Sequence, residues 1–360
     1  MIVKDEGSVV TTTTLLACRV LHGPGSRHEI PVEIDRLGAR QVLLVSTRSA
    51  EAAADELAGA LGDRLAARFD RPVVHTPVAV TADAMTLVAD AGMDAAAGAV
   101  VAIGGGSAIG LAKAVSARTG MRQVAVPTTY AGSEVTGVLG ETVNGIKTTR
   151  RDPALAPGTV VYDAELTVSM PAGLTRTSGL NALAHAVEAL WAPDASAMTD
   201  ALATEAFDIF LTHLPDALAD GADLAAREQL QSAGWLAGLC LAQTRMGLHH
   251  QLAHALGGTF DLPHAELHAM LLPHVMAFNL PVARHTAARL ERVVGSDPVA
   301  AIAGIADGYQ GPRSLRELGV PREGLREVAE QVAAGPYPNP RTFDADDLLG
   351  LLERVWSSPR

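Results

Sequence analysis

The stretch AAGAVVAIGGG (residues 96–106) decides the fold class of this chain. Its first eight residues are apolar or small, which is typical of a strand buried on both faces of a parallel sheet. The three glycines that follow allow a sharp turn and a close approach to a ligand, and a helical pattern covers residues 107–119. A strand, a glycine turn and a helix in this order predict an α/β unit that binds its ligand at the carboxyl end of the strand.

The flanking sequence repeats this alternation of strands and helices. Further strands are predicted at QVLLVS (41–46), PVVHTPVAV (72–80), QVAVPTT (123–129) and TVVYD (159–163), and helices at 49–68 and 82–94. Apolar strands separated by helices predict an open, doubly wound α/β domain over residues 1–163. Beyond residue 164 the β-branched runs disappear, which predicts an all-α domain over residues 164–360. Its predicted helices cover 174–194, 197–220, 224–254, 265–280, 286–306, 313–319, 322–334 and 344–357.

The composition of the 360 residues excludes several classes of protein. With 48 % hydrophobic and 19 % charged residues, the chain does not have the composition of a disordered protein. Its net charge of −12 argues against nucleic acid as a partner, because a phosphate backbone requires a basic surface. Cys18 and Cys240 are too few for a disulfide framework, and no apolar run is long enough to cross a membrane. A soluble cytoplasmic protein is therefore expected.

The glycine turn is the first candidate site. Gly104, Gly105, Gly106 and Ser107 would place free backbone N–H groups at a helix start, which suits a pyrophosphate. The spacing is not that of a Rossmann fingerprint, since Gly110 falls one residue late, and a plain tight turn is the alternative. The end of the next strand adds hydroxyl groups to the same edge of the sheet, from Thr128, Thr129, Tyr130 and Ser133.

Ser46 and Thr47 end the first strand of the predicted sheet. Many dinucleotide-binding folds place an acidic residue near this position, where it binds the ribose 2′-hydroxyl and repels a 2′-phosphate. Here no acid is present, and Arg48 follows. The sequence therefore predicts that both NADH and NADPH bind, although an ordinary polar strand end is the alternative.

Histidines form the second candidate site. Six of the twelve lie within one short stretch, at His249, His250, His254, His264, His268 and His274. The i, i+4 spacing of 250/254 and of 264/268 puts each pair on one helix face, and so many histidines together indicate a functional site rather than core packing. Upstream, Asn181, His185 and Glu188 share a face of another helix. Three histidines and a carboxylate would suit a divalent metal, but position 181 offers only a neutral amide.

These motifs together resemble the iron-containing alcohol dehydrogenase superfamily. The similarity runs from about Arg19 to Trp356, and within the superfamily it is strongest to the maleylacetate reductases. The segments that carry it are TTYAGSE (128–134), KTTRRDP (147–153), SGLNALAHAVEALWAPDAS (178–196), MGLHHQLAHALGGTFDLPHAELHAMLLPHV (246–275) and YPNPR (337–341). The resemblance implies a nucleotide-binding α/β domain, a helical domain and a catalytic cleft between them. A homodimer is also implied.

The resemblance also assigns roles to individual residues. The Asp and three His of metal-dependent members match Asn181, His185, His250 and His264, and the Asn in place of Asp implies that no metal is bound. Gly110 also stands where metal-dependent members often carry Asp. His254 and His250 are expected to face the nicotinamide and substrate, while His185, His264 and Asn181 complete the pocket. The remaining expected substrate contacts are Tyr130 near the nicotinamide and Arg245 against a substrate carboxylate. The cofactor is expected to contact Ser46, Thr47, Gly104, Gly105, Gly106, Ser107, Thr128, Thr129, Ser133 and Lys147, the last of which could instead meet the substrate.

The implied reaction is the NAD(P)H-dependent reduction of maleylacetate, a dicarboxylate enone, to 3-oxoadipate in aromatic compound catabolism. Four alternatives stay open on the sequence. They are a metal-dependent alcohol or aldehyde reductase, a reductase recruited to a biosynthetic pathway for another enone, a lyase like dehydroquinate synthase, and a non-catalytic nucleotide-binding relative.

Overall fold

A six-stranded parallel sheet, a two-stranded hairpin and a body of helices make up the described part of the chain. The computed structural model describes residues 18–143 and 146–357. The strands are β1 (Arg19–His22), β2 (Gln41–Ser46), β3 (Leu65–Phe69), β4 (Gly98–Gly104), β5 (Arg122–Pro127), the hairpin β6 (Val138–Val143) and β7 (Ile146–Arg151), and β8 (Thr159–Tyr162). The helices of the first part are α1 (Ile30–Arg36), α2 (Glu51–Leu61), α3 (Val78–Asp90) and α4 (Gly106–Thr119). Those of the second part are α5 (Ala172–Ala189), α6 (Ala197–Ala219), α7 (Leu224–Gln243), α8 (Leu248–Phe260), α9 (His264–Asn279), α10 (Arg284–Val294), α11 (Pro298–Asp307), α12 (Gly324–Ala333) and α13 (Ala345–Trp356). The predicted fold class, a doubly wound α/β part followed by a helical part, is confirmed.

The order of the strands creates the ligand-binding edge of the sheet. The order is β1-β8-β5-β4-β2-β3, and all neighbours are parallel. From β2 the chain runs outward to β3 and then returns to β4 on the other side of β2. A crevice opens at the carboxyl ends of the strands where such a reversal occurs. In this sheet Ser46 pairs with Ile103 and Gly104 with Pro127, so β2, β4 and β5 end together at that crevice.

Helices cover both faces of the sheet. Along β4, Val100 and Ala102 pack with α3 and α4, while the alternate residues Val101 and Ile103 pack with α1 and α2. Because both faces are buried, each central strand is continuously apolar, which is why these strands were recognisable in the sequence.

Two segment predictions in the first part are wrong. The helix predicted over 49–68 ends at Leu61, and residues 65–69 form β3 instead. The strand predicted at 72–80 is a turn that leads into α3. Its prolines lack a backbone N–H, and His75 and Thr76 have φ values of 62° and 43°, so the chain cannot stay extended there. Neither β1 nor the β6–β7 hairpin was predicted.

The helical part is built around α5. From Thr177 to Ala189 every residue of α5 is buried, because α6, α7 and α9 all pack against this helix. The helix predicted over 224–254 is two helices, since Thr244 is extended after α7, and the segment predicted as a helix at 313–319 is not helical. None of the helices in residues 18–143 and 146–357 has the length and apolarity that a membrane span requires. The boundary at residue 163 stays a prediction.

Candidate active site

A cleft of about 560 Å³ lies between the carboxyl edge of the sheet and the helical part. Eight of the residues predicted for the site line it: Thr47, Gly105, Gly106, Ser107, Thr128, Thr129, Asn181 and His264. Sequence reasoning missed the walls formed by Val74, His75, Ser169, Leu174, Ser178 and Glu266. The cleft therefore brings the glycine turn and part of the histidine cluster together.

The glycine turn is crowded in a way that only glycine permits. Gly104 has a φ of 151°, and a Cβ on it would lie 2.7 Å from Cγ2 of Thr47. A Cβ on Gly105 would lie 3.1 Å from Cγ2 of Thr129, whereas one on Gly106 would meet open space. No side chain of the described residues caps α4 at its N-cap Gly105, whereas the Ala108 N–H already donates to Gly105 O, so the N–H groups of Gly106 and Ser107 are the ones available to an anion. This turn fits a dinucleotide pyrophosphate.

The turn at His75 and Thr76 forms another wall of the cleft. His75 and Thr76 are left-handed, and Thr142 of β6 binds both of their carbonyl oxygens, with its N–H on Thr76 (3.2 Å) and its Oγ1 on His75 (3.0 Å). A Cβ on Gly110 of α4 would lie 2.5 Å from Oγ1 of Thr76. The absence of a side chain at position 110 thus lets this turn pack on the helix. The two prolines around the turn were the sequence signal that was overlooked.

Glu188 of α5 organises the histidine cluster. Its buried carboxylate accepts hydrogen bonds from the backbone N–H groups of Gly247 (3.0 Å) and His249 (2.9 Å) and contacts His250 Nδ1 at 2.7 Å. Burial would raise the pKa of Glu188, but the hydrogen bond from His250 and the surrounding groups lower it below its ordinary value. The ionised carboxylate therefore caps α8 and fixes the His250 ring.

Three further histidines form a hydrogen-bonded chain. His264 Nε2 lies 3.1 Å from His268 Nε2, and His268 Nδ1 lies 2.8 Å from His249 Nε2. His264 lines the cleft, whereas His268 and His249 are fully buried. Burial lowers the pKa of His249 to about 3 and that of His268 well below its ordinary value. Both buried rings are therefore neutral.

Several buried polar atoms at this end of the cleft have no hydrogen-bond partner within the described chain. They are Oδ1 of Asn181, Nδ1 of His185 and Nε2 of His250. The rings of His185 and His250 stack with their centroids 4.9 Å apart. The exposed His254 stacks on His264, with 5.7 Å between centroids. Buried polar groups are normally paired, so unpaired atoms beside a cleft indicate a place for a ligand.

Comparison with known proteins agrees with this geometry. The family model of iron-containing alcohol dehydrogenases matches residues 17–164, and the model of the C-terminal part of Fe-containing alcohol dehydrogenases matches residues 175–356. The chain belongs to the iron-containing alcohol dehydrogenase family. It is therefore an oxidoreductase, and the NAD(P)H use of this family accords with its nucleotide-binding fold.

Within this family the chain is similar to several maleylacetate reductases. The chain is 43 % identical to the maleylacetate reductase of Sphingobium indicum, over 94 % of this chain and 96 % of that protein. It is 41 % identical to the maleylacetate reductase of Burkholderia cepacia, over 95 % and 96 % of the two chains. The crystal structure of maleylacetate reductase from Rhizobium sp. strain MTP-10005 superimposes with a TM-score of 0.91 at 41 % identity, covering 98 % of this chain and 99 % of that one. The resemblance inferred from the sequence is confirmed.

The residues present do not fit the metal site of the metal-dependent members of the family. Asn181 supplies a neutral amide where those members have a carboxylate, and His264 directs Nε2 at His268. Three buried histidines, His249, His250 and His268, do hold ring nitrogens within 4.8 Å of one another. However, His249 and His268 are already hydrogen-bonded to each other, and Glu188 binds His250.

The structure does not support two of the expected substrate contacts. The ring of Tyr130 is buried in the helical core, and its hydroxyl accepts a hydrogen bond from Arg227 Nη1 at 3.1 Å. The side chain of Arg245 is 69 % exposed and pairs with Asp194 at 3.3 Å, and neither residue lines the cleft. Tyr130 therefore holds a loop in place, and Arg245 belongs to the surface.

Four predicted cofactor contacts lie elsewhere or outside the description. Ser46 is buried behind the cleft, and Gly104 shapes the turn without lining the cleft. Ser133 accepts hydrogen bonds from the buried Lys113, so its polar atoms are used inside the α/β part. Lys147 lies on β7, and its side chain falls outside the described part of the chain.

Proposed function

We propose that this protein reduces maleylacetate to 3-oxoadipate with NADH or NADPH, without a bound metal. The main support for this reaction is the similarity of nearly the whole chain to maleylacetate reductases, at 39–43 % identity. The amide of Asn181, in place of a carboxylate ligand, supports the metal-free reaction. Thr47 at the end of β2, with no acid beside it, supports the use of either cofactor.

The cofactor would bind along the sheet edge. The N–H groups of Gly106 and Ser107 at the start of α4 would hold its pyrophosphate, and Thr47, Thr128 and Thr129 offer hydroxyl groups at the ends of β2 and β5. When bound there, NAD(P)H supplies a hydride to the substrate.

The histidine end of the cleft suits the other half of the reaction. Hydride adds to the alkene carbon β to the ketone, the electron pair of the C=C bond forms a new double bond to the ketone carbon, and the carbonyl π pair moves onto the oxygen to give an enolate. A proton then adds to the carbon next to the ketone, so substrate, NAD(P)H and one proton give 3-oxoadipate and NAD(P)⁺. Asn181 and His264 line the cleft and can donate hydrogen bonds to the enolate oxygen. His254 is exposed and can exchange protons with water, which suits it to supply the proton.

The charge partner of the dicarboxylate is also part of this proposal. Among the described residues that line the cleft there is no lysine or arginine. With Arg245 on the surface, Lys147 is the remaining expected cation from the sequence. A homodimer and a cytoplasmic location likewise stay predictions.

The direct test is to follow oxidation of NADH and of NADPH, with maleylacetate and with a panel of simple aldehydes and ketones. We expect turnover of maleylacetate with both cofactors, unchanged after chelation and dialysis. Turnover of an aldehyde but not of maleylacetate would overturn the substrate. Stoichiometric iron or zinc whose removal abolishes activity and whose return restores it would overturn the metal-free reaction.

A matched variant sharpens the metal part of this test. Asn181→Asp introduces the carboxylate that metal-dependent members possess. We expect this variant to bind Zn²⁺ at least about tenfold more tightly than the unchanged protein, because a carboxylate offsets metal charge and an amide does not. Titration calorimetry with the metal alone gives the comparison.

A further inference from the structure

Hydrogen bonds between ring nitrogens connect His264 to His268, and His268 to His249. A hydrogen bond between two imidazole nitrogens contains one proton, so in each contact one ring donates and the other accepts. Both buried rings are fully enclosed, and no carboxylate among the described residues is bonded to their nitrogens, so each ring carries a single proton. The chain therefore has only two possible directions. Either every donor points toward the cleft, or every donor points away from it.

The buried end of the chain decides between these directions. His249 is fully buried, and its Nδ1 has no hydrogen-bond partner within the described residues. If the donors pointed away from the cleft, this Nδ1 would carry a buried N–H without an acceptor. Orphaned buried N–H groups are rarer than buried acceptors that lack a donor. His249 therefore carries its proton on Nε2 and donates to His268, which in turn donates from Nε2 to His264.

We propose that His268 and His249 are positioning residues that hold His264 as the Nδ1–H tautomer, so that His264 donates a hydrogen bond to the substrate oxygen as a neutral imidazole. The identity of that oxygen, the developing enolate, rests on the proposed function; the tautomer does not. The buried end of the chain has no proton donor among the described residues, so a proton that His264 gave up from Nδ1 would not be replaced through Nε2. His264 is thus an electrostatic stabiliser, and the proton comes from another group.

The same arrangement bears on metal binding. A ring nitrogen must offer a lone pair to bind a metal. In this tautomer the lone pair of His264 Nε2 accepts from His268, and Nδ1 carries a proton. The hydrogen-bonded chain therefore disfavours the third histidine ligand independently of the change at position 181.

The spectroscopic test uses the unmodified protein without substrate. Long-range ¹H–¹⁵N spectra of ¹⁵N-histidine-labelled protein distinguish the two neutral tautomers, and the signals missing in a His264→Asn variant identify His264. We expect the Nδ1–H pattern at His264 and the Nε2–H pattern at His268 and His249. An Nε2–H pattern or an imidazolium at His264 would overturn the proposal. This experiment does not depend on whether maleylacetate is the substrate.

The kinetic test compares two variants of one residue that lines no part of the cleft. His249→Gln keeps an amide N–H near the position of Nε2 and can still donate to His268, whereas His249→Leu cannot. We expect the Leu variant to lose about tenfold in kcat with KM for NADH unchanged, and the Gln variant to stay within about twofold of the original. Equal kcat values for the two variants, or a parallel rise in KM, would contradict a positioning role. If the Leu variant does not fold, the spectra of the unmodified protein decide.

Discussion

Two buried polar clusters, one in each part of the molecule, satisfy their hydrogen bonds to different degrees. In the α/β part, Lys113 Nζ contacts the carbonyl oxygens of Ser133 (2.6 Å) and Val138 (3.0 Å) and Oγ1 of Thr136 (3.1 Å). Beside it, Glu134 accepts a hydrogen bond from Tyr162 at 2.8 Å, and its other carboxylate oxygen has no partner among the described residues. This cluster ties α4 to the loop that follows β5.

The histidine cluster of the helical part leaves many more atoms unpaired. Asn181, His185, His249 and His250 each have one buried polar atom without a partner in the described chain. An unpaired buried polar atom costs stability unless a ligand or water satisfies it. The first cluster therefore stabilises the fold, whereas the second is arranged for a bound molecule. The following substitutions test that division.

The largest effect is expected for His254→Ala. If His254 supplies the proton, kcat for maleylacetate should fall about 1000-fold, while the Kd for NADH changes less than about twofold. Stopped-flow kinetics and fluorescence titration with NADH measure the two quantities. The exposed His285 of α10 gives the control, since His285→Ala should change neither. Equal losses in kcat and in NADH affinity would make His254 a structural residue.

Lys113→Met should act on stability instead. The variant removes the buried donor that four oxygens share, and we expect the free energy of unfolding to fall by about 3 kcal/mol with kcat changed less than about threefold. Urea unfolding and steady-state assays check this. Arg71→Met, at a side chain that is 75 % exposed, should leave both unchanged. A large loss of kcat at unchanged stability would remove the distinction between the clusters.

Two buried asparagines make a matched pair. Asn279 exchanges hydrogen bonds with Asn339 at 2.8 and 2.9 Å, whereas Asn181 has an unpaired Oδ1. Asn279→Leu should lower the free energy of unfolding by about 2 kcal/mol, while Asn181→Leu leaves it unchanged or raises it and abolishes turnover. Thermal unfolding monitored by circular dichroism tests both variants. Equal destabilisation would mean that Asn181 has a structural role like that of Asn279.

The smallest effect concerns Glu188→Gln and pH. Because the folded-state pKa of Glu188 lies below its ordinary value of 4.5, its ionised form stabilises the fold above that pH, and this contribution is lost as the pH falls through the folded-state pKa. We expect the variant to be less stable than the original by about 1 kcal/mol near neutral pH, with the difference shrinking under acid. Urea unfolding across acidic pH measures it, with Glu291→Gln on the exposed face of α10 as the control. A difference that grows as the pH falls would contradict the assignment.

The sequence predicted the central strands and the glycine turn because buried parallel strands are uninterrupted apolar runs. It failed where local signals conflict. The apolar residues around His75 suggested a strand, but the two prolines and the left-handed turn prevent one. β3 lies at the sheet edge with most of its residues only partly buried, so it lacks the apolar pattern of the central strands.

The histidine cluster was also predictable, because helical spacing shows which side chains share a face. Such spacing cannot show which direction a loop residue takes, and Tyr130 and Arg245 were misplaced for that reason. The hydrogen bonds from His264 through His268 to His249 join two helices, so no spacing within either helix could reveal them.

The position of β1 at the sheet edge has a consequence for biosynthesis. Among the described strands its neighbour in the sheet is β8 alone, and the turn after it is held by a hydrogen bond from the Gly25 N–H to Asp163, 138 residues later. β1 therefore cannot pair in the sheet until β8 has been translated, which takes on the order of ten seconds on a ribosome. Until β8 has been translated, the edge of the sheet at which it will pair is exposed to other chains. Forming a contact between such distant parts of the chain is slow and limits the folding rate.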